Sequence, residues 1–129
     1  MTLMHIRLEL ARTPDFPEGS AEHGYAFLAP LDKDGHIDMD GWKKWKEDCQ
    51  VIRFWGSDEP EHGRLRHVGK GWRFDYDARN DEDDEPFFKL GSHSLLPGNY
   101  VSITEHDGKQ RPFRVATVTP SVRRVQALM

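Results

Sequence analysis

The chain has 129 residues, a mass of 15.0 kDa and a formal net charge of −4, with 36% hydrophobic and 11% aromatic residues. That size fits one domain with a modest core, and the single Cys49 excludes an internal disulfide framework and any all-cysteine metal site within one chain. No stretch approaches the roughly 18 apolar residues of a membrane span, and the N-terminus alternates charged with apolar residues, so the expectation is a cytoplasmic protein with no membrane contact.

Residues 3–10 alternate, with Met4, Ile6, Leu8 and Leu10 on one side and His5, Arg7 and Glu9 on the other, the period of a half-buried strand. Residues 13–24 carry two prolines and two glycines and read as a loop, followed by a short apolar strand over 25–29. A turn over 31–37 leads to a helix at about 38–50, with Asp38 or Asp40 as its N-cap. Met39, Trp42, Trp45 and Cys49 form its apolar stripe, while Lys43, Lys44, Lys46, Glu47 and Asp48 face water.

A β-branched and aromatic run over 51–55 precedes a polar loop over 56–63 and a hairpin of 63–68 with 72–76. A two-residue loop in that hairpin places Leu65 and His67 on the same face as Trp72, Phe74 and Tyr76, and leaves Arg64, Arg66, Arg73 and Asp75 on the other. Seven acids and one base lie between Asp75 and Glu85; the segment's net charge of −6 leaves the remainder of the chain at +2. Such a run reads as a solvated connection. A short aromatic strand over 86–90 and a loop over 91–98 follow. In the last hairpin, a three-residue loop with a left-handed Gly108 pairs Val101 with Phe113 and sets Ile103 and Val115 on one face. After Asp107 there are no acids, whereas Lys109, Arg111, Arg114, Arg123 and Arg124 are basic.

These elements predict an α+β, mainly antiparallel β domain over residues 1–120. Its architecture is a small curled sheet or half-barrel of about seven or eight short strands with one covering α-helix, and residues 121–129 form a C-terminal tail. The leading functional expectation is a small, non-catalytic intracellular binding or regulatory module that contacts a protein partner. Arg64, Arg66 and Arg73 on one hairpin face, with Arg111 and Arg114 near it, are the candidate partner-binding residues. The same arginines would suit phosphates in the alternative, a nucleic-acid-binding barrel, against which the sequence pI of 5.9 weighs.

No cofactor or metal is expected. None of the seven histidines pairs at the spacings of known zinc motifs. Cys49 on the helix stripe behaves as a small hydrophobe, and no phosphate-binding loop or nucleophile motif is present. Asp32, Asp34, Gly35 and Ile37 resemble the middle of an EF-hand calcium loop, but Pro30 and Gly41 stand where that loop places its first acid and its bidentate Glu. Pro97, Gly98, Asn99, Tyr100 and Val101, followed by Arg111, Pro112 and Phe113, resemble part of the flavin-binding barrel of the ferredoxin reductase family. This resemblance implies a flavin or small-ligand barrel with Arg111 and Phe113 against the ligand; Arg114 stands where that family has Ser.

Overall fold

The computed structural model describes residues 3–69, 71–76, 94–105 and 107–121 in full, and residues 85–88 by their backbone. Among the described residues, eight antiparallel strands follow one another around a closed barrel: β1 (Leu3–Leu10), β2 (Ser20–Pro30), β3 (Gln50–Trp55), β4 (Glu61–Val68), β5 (Gly71–Asp75), β6 (Glu85–Phe88), β7 (Tyr100–Thr104) and β8 (Gln110–Pro120). The expected curled sheet is present, and it closes because β1 pairs with β8 as well as with β2, from Met4 opposite Pro120 to Leu10 opposite Phe113. Between Arg7 and Leu8 the register with β8 slips, so that Val115 and Val118, three residues apart, both turn towards the core.

Both hairpin registers follow from the turn glycines. Val68 pairs with Gly71, leaving a two-residue loop, and Leu65 then faces Phe74 while His67 faces Trp72. Val101 pairs with Phe113, the Gly108 N–H donates to the Glu105 carbonyl, and Gly108 has φ of 85°, a left-handed value that favours glycine. The predicted inward residues Leu65, Trp72, Phe74, Val101, Ile103, Phe113 and Val115 are all buried in one core, with Tyr76 packed against it.

Side chains fill the barrel, as an eight-stranded barrel allows. Tyr25, Phe27, Phe74 and Phe113 are fully buried, with Tyr25 to Phe74 ring centroids at 5.0 Å, Phe27 to Phe74 at 5.1 Å and Tyr25 to Phe113 at 5.1 Å in an edge-on arrangement.

The helix is shorter than the sequence suggests. α1 (Met39–Trp45) starts at Asp38, whose carboxylate accepts from the Gly41 N–H at 2.7 Å, and passes into a 3-10 turn over Lys46–Asp48. Helical geometry ends there because the Cys49 carbonyl is drawn into the sheet, accepting from the Leu65 N–H at 2.8 Å. The expected stripe still faces inward: Cys49 is buried, and Met39, Trp42 and Trp45 pack on the core. α1 thus covers the barrel end formed by the C-terminus of β2 and the N-terminus of β3.

Residues 31–37 form a turn closed by the Asp32 N–H on the His36 carbonyl and the Gly35 N–H on the Asp32 carbonyl. The Asp32 carboxylate accepts the N–H groups of Asp34 and His36 at 2.8 and 3.0 Å, and the His36 bond is the main cause holding its pKa below the ordinary value. Among the described residues, no three His, Cys, Asp or Glu side chains group as metal ligands, and no helix is long and apolar enough to cross a membrane. Ser121, the first residue of the expected tail, is buried and donates its N–H to the Leu3 carbonyl. The acidic run over 77–84 and the tail from 122 onward lie outside the described residues.

Candidate functional site

Two charged assemblies occupy different parts of the barrel. The first is a groove of about 700 Å³ on its outer wall, between the α1 segment and the β4–β5 hairpin. Its origin lies in a strand mismatch. β3 pairs with β4 only from Gln50 opposite Arg64 to Arg53 opposite Glu61, so β4 runs on past the start of β3. Trp42 fills part of the gap: its indole N–H donates to the Leu65 carbonyl at 2.9 Å, and its ring meets Trp72 edge-on at 5.4 Å. The His67 ring also packs on Trp72, at 4.7 Å.

The groove walls carry Lys46, Glu47, Arg64, Arg66, Asp75 and Tyr76. Arg64 meets Glu47 at 3.2 Å with both side chains more than half exposed, whereas Arg66 is held at 2.5 Å by the buried carboxylate of Asp75. These two pairs differ in kind. An exposed pair contributes between nothing and about 1 kcal/mol and exchanges readily with another anion. A buried carboxylate, which is costly to leave alone, fixes its guanidinium in position.

The second assembly is a charged layer inside the opposite end of the barrel. Glu105, only 2% exposed, accepts from the Tyr25 hydroxyl at 2.9 Å, from Arg53 Nη2 at 2.9 Å and from Arg111 Nη1 at 2.6 Å. Arg53 also reaches Glu61 at 3.4 Å, and Arg111 reaches Asp107 at 3.0 Å. Both guanidiniums lie over the Trp55 ring, at 4.3 and 5.7 Å from its centroid. Burial disfavours charge on Arg111, but its hydrogen bonds to Asp107 and Glu105 outweigh this and raise its pKa. The same Arg111 bond, followed by that from the Lys109 N–H, lowers the pKa of Asp107.

A lowered carboxylate pKa stabilises the fold fully above its unfolded value, near 3.8 for Asp, and that contribution is lost as pH falls through the folded value. Asp107→Asn lacks this contribution at pH 7 and has none to lose in acid, so its deficit is expected to shrink as pH falls, and its acid unfolding to be less steep and nearer the parent's midpoint than a constant deficit would give. Acid titration followed by tryptophan fluorescence measures it, and parallel curves would show that Asp107 gains nothing from Arg111.

The five predicted arginines do not share one surface. Arg64 and Arg66 line the groove, and Arg73 faces Arg66 across the β4–β5 ladder. Arg111 points into the barrel. Arg114, on the opposite face of β8, lies 3.6 Å from Glu9. Two strands, β6 and β7, separate β8 from the hairpin. Phe113, offered by the flavin resemblance, is wholly buried against Tyr25 and Trp55.

Sequence reasoning missed Trp42 as a wedge, and missed the Tyr25, Arg53 and Glu105 cluster. A signal for the cluster existed: the inward alternation Val101, Ile103 extends to Glu105, and Val51 extends to Arg53. Comparison of the chain with protein-family models, with curated proteins and with solved structures gives no match.

Proposed function

We propose that this chain is a small, non-catalytic binding module that contacts a protein partner through the groove between α1 and the β4–β5 hairpin. The observation that carries this reading is the contrast between interior and wall. Aromatic and aliphatic side chains fill the barrel, and Arg111 and Phe113 are engaged within it, while the groove presents Arg64, Arg66, Trp42 and Tyr76 around about 700 Å³ of open space. Clefts of this volume suit side chains of a partner or a compact ligand. The cytoplasm suits a chain whose single cysteine, Cys49, is buried in the core.

A photo-cross-linking residue at Gln50, on the groove rim, and another at Thr117, on the far wall, test the assignment in native lysate. The expected result is a discrete protein adduct from position 50 that position 117 does not give and that disappears when Lys46→Glu and Arg64→Glu are added. Adducts to nucleic acid, or no adduct specific to position 50, would overturn it.

A further inference from the structure

We infer that the occupant of the groove is an extended, acidic segment of the partner protein, an inference that rests on the binding-module reading above and names its ligand chemistry. Shape and charge both lead there. On β4, His62, Arg64 and Arg66 recur at every second residue along the outward face, and all three line the groove. Same-face residues of a strand lie roughly 7 Å apart, and an extended peptide presents alternate side chains at that same spacing. A helical segment would not, because its successive side chains turn through about 100°.

Charge selects acidic side chains. The chain as a whole carries −4, yet the groove walls hold the cations Lys46, Arg64 and Arg66 against two acids, Glu47 and Asp75. Asp75 is buried and committed to Arg66. Glu47, with its side chain 73% exposed, can leave Arg64 to an incoming carboxylate without stranding a buried charge. Lys46, exposed beside the Trp42 ring at 5.9 Å, supplies a further contact on the opposite wall.

Fluorescence anisotropy with labelled ten-residue peptides tests this: alternating Glu and Ser, alternating Gln and Ser, alternating Lys and Ser, and a single-stranded oligonucleotide of similar length. The acidic peptide should bind best, lose affinity as salt rises, and bind on the order of tenfold more weakly to Arg64→Glu or Lys46→Glu. Lys33→Glu, with the same change of charge outside the groove, should bind as the parent does. Equal binding of the Glu and Gln peptides, or equal losses in Lys33→Glu and Arg64→Glu, would overturn the acidic ligand while leaving the cross-link at position 50 intact. Preference for the oligonucleotide would overturn the ligand assignment and, with nucleic-acid adducts at position 50, the protein-binding reading too. A melting curve for each variant separates lost binding from lost fold.

Discussion

Glu105→Leu is expected to lower stability by about 3–5 kcal/mol, the cost of leaving buried charges without their partner. Glu105 is 2% exposed, and its carboxylate is where Arg53, Arg111 and the Tyr25 hydroxyl converge. Removing it leaves two guanidiniums facing each other, with side chains 12% and 20% exposed, and takes an acceptor from Tyr25. Glu61 and Asp107 remain beside them, so the lower part of that range is expected. Glu105→Gln, which keeps an acceptor and the shape, should cost less.

The informative variant is the triple replacement Arg53→Met, Glu105→Leu, Arg111→Met. A buried ionic group exchanged as a whole for apolar side chains of similar volume is often neutral or stabilising, whereas breaking it at one member is not. Recovery of most of the lost stability in urea unfolding would show that the cost arises from stranded charge. If Glu105→Leu unfolds at the parent's urea concentration, water reaches this end of the barrel and the carboxylate is not isolated.

Local signals carried much of the architecture. Alternation marked β1, and a register test on Gly69, Gly71 and Gly108 gave the pairing of both hairpins, because shifting a strand by one residue turns its whole apolar set to solvent. Closure was not legible, since the contact of β1 with β8 joins residues over a hundred positions apart and leaves no mark in either strand alone. The charged layer was hidden for a related reason. Alternation sets Arg53, Glu105 and Arg111 each on the inward side of its own strand, but only the order β2, β3 and β7, β8 around a closed sheet brings them to one point.

The candidate site divides in the same way. Arg64 and Arg66 were readable because they alternate on one strand, and their shared wall follows from the pleat. Arg111 and Arg114, three apart on one strand, had to face opposite sides by the same rule, which separates them from each other whatever lies nearby. Lys46 and Trp42 enter the groove through the early end of α1, which depends on the pull of Leu65 on Cys49 and not on helix propensity.

Phe74→Ala is expected to cost about 3–5 kcal/mol, a large part of the 5–15 kcal/mol that stabilises a typical domain. Phe74 is fully buried at the centre of the barrel, its ring about 5 Å from both Tyr25 and Phe27 and its backbone opposite Leu65. The cost depends on how far the surroundings can collapse into the space left. Here they are restrained: Tyr25 and Phe27 belong to β2, which is paired with β1 on one side and β3 on the other, so neither ring can move inward without shearing a ladder. Phe74→Leu, which keeps most of the volume, should cost markedly less. Tyr100→Ala, at a residue 58% exposed on the outer wall, should change stability by no more than about 0.5 kcal/mol. Urea unfolding of the three variants checks the order. A Phe74→Ala midpoint equal to that of Tyr100→Ala would place the Phe74 ring outside the packed interior and remove the central support for a filled barrel.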